Sequence, residues 1–271
     1  MGVVQSQSGR RWVGPSAEVE RAAEGIVQMT GMPRLVARLL AMAGISAELA
    51  DAYLMPMLRD LMPDPSVLSD MDRAAQRLTQ AVTRREKVAI FGDYDVDGGA
   101  SVALLADWLR SMGLDATPYI PDRIDEGYGP NVPAMQELGR AHDLIVCVDC
   151  GTLSHEPIAA ARACGADVIV ADHHLPGPEL PEAIVVNPNR DDDSSGLGHL
   201  CAAGVVFLLL VATNRELRTG GHFGDARREP DLMSALDLVA LATVADVSPM
   251  IGLNCPQSIR ITFPFFRKGL A

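Results

Sequence analysis

Three carboxylates alternate at Asp93, Asp95 and Asp97 in the segment Phe91-Gly92-Asp93-Tyr94-Asp95-Val96-Asp97-Gly98, directly after the apolar run 88–91. Charges packed this closely repel, and in a partly buried crevice a bound cation is the natural remedy. An EF-hand is excluded, because no Glu follows at the twelfth loop position. Two more apolar runs end in similar chemistry: Leu144–Val148 delivers Asp149 into a turn containing Gly151, and 168–171 ends in Asp172-His173-His174. Adjacent histidine rings point in different directions. One ring is therefore expected to bind a cation while the other meets substrate phosphate or a carboxylate, with Asp172 available to orient a ring. Asp246 ends a further apolar helical stretch before Pro249, whereas Asp237, nine residues earlier, faces roughly 180° away on the same helix and is not expected to share its site. Taken singly, these segments also read as an acidic turn, a helix cap, a structural histidine or a solvated carboxylate. Their recurrence at the ends of three strands of one sheet is what points to a site.

Two divalent ions would offset the four negative charges of Asp95, Asp97, Asp149 and Asp246, and the neutral sum accepts an anionic phosphodiester. Oxygen and imidazole donors without thiolate favour Mn2+ or Mg2+ over structural zinc. A pair of such ions suits in-line attack at phosphorus, which makes a two-metal phosphoesterase the expected chemistry.

The elements that must carry these residues follow from the texture of the chain. Short apolar runs at 88–91, Leu144–Val148, 168–171 and Ile184–Val186 read as buried parallel strands. Helical patterns at 98–112, Val132–Ala141 and 155–164 read as crossovers, with later helices at 201–217 and 232–245. The expected class is α/β: a doubly wound, mainly parallel sheet flanked by helices, with a helical N-terminal extension. Residues 1–30 show no sustained periodicity, while 33–58 places Leu35, Leu39, Met42, Leu49, Tyr53 and Met57 at amphipathic helical spacing. Prolines 56, 63 and 65 mark a connection before a helix at 71–83, and the Asp-, Ser- and Gly-rich stretch 191–199 reads as a loop. The expected division is 1–65 for the extension, 66–253 for the catalytic domain and 254–271 for an atypical tail.

Composition narrows the class further. Of 271 residues, 48% are hydrophobic, enough for a sizeable core. No apolar run reaches the ~20 residues needed to span a bilayer, and the polar start has no signal-peptide core, so a cytoplasmic protein with no membrane partner is expected. Five cysteines without an export signal argue against a disulfide framework, and Cys147 and Cys150 read as compact hydrophobes at a strand end. The formal charge of −12 is the wrong sign for gripping nucleic acid by a global field. A polyanionic substrate therefore needs cations, a local basic patch or another domain.

The ordered motifs Asp93-Tyr-Asp-Val-Asp-Gly98, Val148-Asp149-Cys-Gly151, Asp172-His173-His174 and Ala242-Thr-Val-Ala-Asp246 resemble the four motifs of the DHH phosphoesterase superfamily. Together with Ile120-Pro-Asp-Arg123-Ile-Asp-Glu-Gly-Tyr128-Gly, Val186-Asn-Pro-Asn189 and Ala203-Gly-Val-Val-Phe207, they are most similar to its RecJ branch of single-strand-specific 5′→3′ DNA exonucleases. The resemblance implies two Mn2+ or Mg2+ ions, a metal-activated water, and release of 5′-mononucleotides from single-stranded DNA in repair and recombination, with other DNA-repair proteins as partners. By position it implies Asp95, Asp97, Asp149, His173 and Asp246 as metal ligands, Asp97 and Asp149 as the bridging pair, and Asp93 as a further ligand or a group bonded to one. It implies that His174 and Arg123 hold the phosphate. Where other branches open the first motif with a histidine, this chain has Phe91. The branch is similar to a two-lobed enzyme with a glycine-rich second lobe and an oligonucleotide-binding fold, and neither is expected in this sequence. A truncated catalytic part with weakened grip on DNA is therefore expected. Small phosphate esters or short oligonucleotides as substrates, and an inactive fragment or binding module, are the alternatives.

Overall fold

The computed structural model describes residues 6–11, 13–55, 61–225, 227–249 and 254. The chain divides into two compact units, Met1–Leu61 and Met62–Ala271. The expectations for Met57 and, Asn254 apart, for the tail 254–271 lie outside the described residues.

In the first unit, α1 (Ala17–Thr30) forms where no periodicity was expected. Its limits are set by local chemistry: the Ser16 side chain accepts from Val19 N, and Gly31 ends the helix in the left-handed region at φ +71°. The helices α2 (Arg34–Met42) and α3 (Ala50–Leu54) follow. Their core is made of small residues and a few large ones: Ala23, Ile26, Ala37, Leu40, Ala41 and Ala50. The apolar stripe expected to face inward is on the outside instead, with Leu35 68% and Leu39 60% exposed. The pattern in α2 is ambiguous because Ala37, Leu40 and Ala41 form an equally valid helical face, and only packing chooses between the two.

The second unit is a five-stranded, all-parallel sheet in the order β2-β1-β3-β4-β5. Its strands are β1 (Val88–Gly92), β2 (Ala116–Tyr119), β3 (Leu144–Val148), β4 (Asp167–Ala171) and β5 (Ile184–Val186). Alternate strand residues feed opposite layers. Val88, Ile90, Val146 and Val148 pack with α4 (Met71–Arg84), α5 (Val96–Ser111) and α8 (Ala202–Thr219). Ala89, Phe91, Ile145 and Cys147 pack with α6 (Val132–Ala141) and α7 (His155–Ala163). This is the expected doubly wound α/β architecture, with both faces of the sheet covered. The edge strand β2 was not anticipated: its sequence Ala-Thr-Pro-Tyr is short, half-exposed and interrupted by Pro118, which only an edge tolerates. The expected helix 232–245 begins as a 3-10 turn, Leu232–Ala235, capped by Asp231, and continues as α9 (Leu236–Ala245). Among the described residues no helix is long and apolar enough to cross a membrane.

The chain leaves β1 toward β2 on one side and returns through α6 to β3 on the other. The crevice above the C-terminal ends of β1 and β3 is therefore the topological switch point, where sheets of this kind bind ligands.

Candidate active site

Each strand bordering that crevice ends in a chemically active turn. After β1 the chain passes through Asp93 to Asp95, whose side chain caps α5 by accepting from Gly98 N at 2.9 Å. Gly98 is required there, because a Cβ would stand 2.4 Å from the Asp93 carbonyl oxygen. The second helical residue, Asp97, is 2% exposed, and its two oxygens accept from Ala202 N (2.7 Å) and Ala203 N (2.8 Å) at the start of α8. A helix N-terminus thus holds this carboxylate in one orientation. Hydrogen-bond donors for Asp97 from more than a hundred residues away were not legible in the sequence. The only signal was the start of an apolar helix at Cys201.

After β3, Asp149 adopts φ +59°, a region few non-glycine residues occupy. It is 1% exposed, and among the described residues neither carboxylate oxygen has a well-aligned hydrogen-bond donor. It is therefore not the helix cap its position also suggests. After β4, Asp172 is buried and ties down the tandem-histidine turn, accepting from His173 N (2.8 Å), His174 N (3.2 Å), His174 Nδ1 (2.7 Å) and Thr152 N (3.1 Å). Asp172 therefore orients His174, while His173 turns the other way. His173 Nε2 lies 3.4 Å from Asp149 Oδ1 and 3.7 Å from Asp97 Oδ2, and its Nδ1 lies 3.9 Å from Asp246 Oδ2. Asp246 is the C-terminal cap of α9; its Oδ2 also accepts from Ser248 Oγ at 2.7 Å.

Seven of the eight candidate residues thus meet. Their ligand atoms form three overlapping groups, each within 4.8 Å: Asp93, Asp95 and Asp149; Asp149, His173 and His174; and Asp97, His173 and Asp246. The eighth, Arg123, is exposed at the rim, its guanidinium 5.3 Å from the centre of the Tyr94 ring. Tyr128, on the same loop, places its hydroxyl 3.2 Å from His174 Nε2. The role of Tyr128 was missed in the sequence, as were those of Thr152, Asn187 and Asn189, although their motifs were visible. Asp237 stands apart, lining a groove of about 500 Å³ with Trp108 and Leu238. Phe91 offers nothing to the cluster, since its buried ring stacks on Tyr119 at 5.1 Å. Cys147 and Cys150 are free and buried, as expected of compact hydrophobes, and burial pushes the Cys147 thiol up to about 12.

The electrostatics match a site built for cations. Burial, reinforced by Asp97 and Asp95, pushes the Asp149 carboxyl up to about 8. Burial also raises Asp93 and Asp97, the latter against the two helix N–H groups. Burial lowers His173, but Asp149, Asp97 and Asp246 outweigh it and raise the ring to about 9. Asp172 is the opposite case: burial disfavours its charge, yet His174 and Thr152 bring it down to about 2. Without a cation, the cluster must hold protons to limit its repulsion. Asp149 Oδ1, Asp149 Oδ2 and Asp93 Oδ1, without aligned donors among the described residues, are buried polar atoms that divalent cations would satisfy. The donor set, carboxylate oxygen and imidazole nitrogen without thiolate, fits Mn2+ or Mg2+.

Comparison with known proteins gives a consistent picture. Residues 87–243 match the model of the DHH family, N-terminal domain. The single-stranded-DNA-specific exonuclease RecJ of Dickeya dadantii is 40% identical over 228 residues, covering 82% of this chain and 39% of that protein. Among solved structures, an exonuclease RecJ bound to manganese aligns with a TM-score of 0.62 at 35% identity, over 73% of this chain and 47% of that one. RecJ from Thermus thermophilus in complex with Mn2+ aligns with a TM-score of 0.69 at 29% identity, over 86% of this chain and 32% of that one. The chain thus spans less than half the length of each of these three relatives.

Proposed function

Because the chain belongs to the DHH family, we propose that its cluster is a two-cation centre hydrolysing phosphodiesters of single-stranded DNA from the 5′ end to 5′-mononucleotides. The observation that carries this reading is the convergence of seven carboxylate and imidazole side chains on one crevice, with both oxygens of buried Asp149 left without a well-aligned hydrogen-bond donor among the described residues. The similarity to single-stranded-DNA-specific exonucleases supports the choice of substrate.

Two Mn2+ or Mg2+ ions bound there would polarise the phosphate, activate the attacking water and offset the charge of the carboxylates. Asp93, Asp95 and Asp149 would hold one, and Asp97, His173 and Asp246 the other. Asp172 accepts the hydrogen bond from His174 Nδ1, which leaves Nε2, beside the Tyr128 hydroxyl, as the edge turned to substrate. Arg123, on the rim, is the exposed cation that would meet the phosphate, with Tyr94 as its resting place. At a formal −12 the chain has little field with which to attract DNA. Grip on a long strand would thus rest on this local set and be weak. The cytoplasm as the place of action and DNA-repair proteins as partners belong to the same reading.

The test is digestion of 5′-labelled single-stranded DNA with and without Mn2+. The expected result is Mn2+-dependent release of labelled mononucleotide, absent with duplex DNA and absent in Asp149→Asn. Release that survives chelation of all divalent cations, or persists in Asp149→Asn, would sink the assignment.

A further inference from the structure

The tandem-histidine turn is unusual in how its backbone is held. The N–H groups of His173 and His174 both donate to Asp172 Oδ1, and the His173 carbonyl accepts from Asn189 Nδ2. The His174 carbonyl accepts from Asn187 Nδ2 at 2.8 Å. All four main-chain polar groups of the two histidines are therefore held by side chains. Asn187 follows directly on β5 and is fully buried. Its Nδ2 also donates to Thr152 Oγ1 at 2.9 Å, and its Oδ1 accepts from Asn189 N at 2.8 Å. Thr152 in turn donates its N–H to Asp172 Oδ2, which closes the circuit.

Only an amide fits position 187. The carboxamide must donate twice, to a carbonyl and a hydroxyl, while accepting once from an N–H group. A carboxylate there would face the His174 carbonyl with lone pair against lone pair, and alanine would leave buried acceptors empty. Gly198 belongs to the same arrangement, since a Cβ there would stand 2.5 Å from Asn189 Oδ1. The circuit joins three elements: the turn after β3 that carries Asp149, the turn after β4 that carries the histidines, and the end of β5.

We propose that Asn187, backed by Asn189, is a positioning residue that locks the Asp149 turn to the His173–His174 turn and thereby sets the spacing of the cation ligands. This rests on the cation centre proposed above. Fixing both peptide planes of the tandem histidines leaves the His173 ring only its side-chain torsions, so its approach to Asp97 and Asp149 is chosen in advance. Groups that support metal ligands in this way typically govern affinity by on the order of 10–100-fold.

The experiment is calorimetric titration of Mn2+ into the metal-free chain, the Asn187→Ala and Asn187→Asp variants, Asn189→Ala and the Asp149→Asn control, with circular dichroism verifying the fold of each. Asn187→Ala and Asn187→Asp should bind Mn2+ on the order of 10–100-fold more weakly. Asn189→Ala, which removes only the donor to His173, should show a smaller loss of the same sign. Mn2+ affinity within twofold of the parent in the folded Asn187 variants overturns the inference. If Asn187→Ala does not fold, Asn189→Ala decides, and parental affinity there overturns it equally. A parent chain that binds no Mn2+ takes down the cation centre as well, whereas a parent that binds, an Asp149→Asn that does not, and unaffected asparagine variants remove this inference alone.

Discussion

The two halves of the cluster are built differently. Asp97 and Asp149 are 2% and 1% exposed, and each is held by another element: the Asp97 carboxylate by the first N–H groups of α8, the Asp149 backbone N–H by the Ala171 carbonyl at the end of β4. Asp246 keeps 26% of its side chain in solvent and hangs from the last turn of α9. That turn closes through Val247 at φ +56°, with Ser248 N bonded to the Thr243 carbonyl. A glycine is the usual occupant of such a position, and a β-branched residue there is strained. The buried half is thus pre-organised and electrostatically loaded, while the rim half is locally anchored. Affinity for cations should depend mainly on the first, and completion of the site on the second.

The largest expected effect separates stability from function at Asp149. Asparagine tolerates its left-handed backbone and removes a buried charge. Asp149→Asn should therefore raise the melting temperature of the metal-free protein at pH 8 while lowering Mn2+-dependent hydrolysis by more than about 100-fold, beyond what supporting groups control. Thermal melts and a nuclease assay on the same preparation would check both, and a drop in metal-free stability would contradict the electrostatic picture.

The second prediction concerns pH. The folded chain keeps a proton on Asp149 up to about 8, whereas the unfolded chain loses it near 4, so this group costs stability as pH rises between those values. His173, held protonated to about 9, contributes stability that is complete below its ordinary value of 6.5 and lost as pH climbs to about 9. Both signs make the metal-free chain less stable at pH 8 than at pH 6. Mn2+ competes with the same protons, so the rise in melting temperature on adding a fixed Mn2+ concentration should be larger at pH 8 than at pH 6. An equal rise at both would break the assignment of these two groups as ligands.

A smaller effect is expected on the rim. Asp246→Asn keeps the Ser248 contact possible and removes one half-buried charge. Its loss of Mn2+ affinity should fall on the order of 10-fold, well short of Asp149→Asn, and a loss as large would erase the contrast between the halves. Smallest is Val247→Gly. Relief of the left-handed valine is worth roughly 1–2 kcal/mol, offset by about 0.5–1 kcal/mol for glycine's extra freedom. A gain of ~2 °C in melting temperature follows for a domain of this size, measurable by calorimetry.

Much of the second unit was legible because its signals are local. β1, β3, β4 and β5 are continuous apolar runs, and Asp93, Asp95, Asp97, Asp149, His173 and His174 stand at their ends, so a parallel sheet brings them to one edge. β2 was hidden by Pro118 and by its exposure as an edge, and α1 by the weak periodicity of an alanine- and glutamate-rich segment. The exposed stripe of α2 was misleading for a related reason: two helical faces were equally apolar, and alanines on one of them packed more closely.

Residue types at strand ends, and hence the donor chemistry and its preference for hard divalent cations, were determined by the sequence alone, because strand burial and side-chain chemistry are properties of short segments. Which nitrogen of which histidine meets which carboxylate was not. That was decided by the seating of α8 on Asp97 and by the asparagines beyond β5 that clamp the His173–His174 turn. Those contacts join residues 13 to 106 positions apart, and hydrogen bonds of that reach leave no periodicity in the chain that makes them.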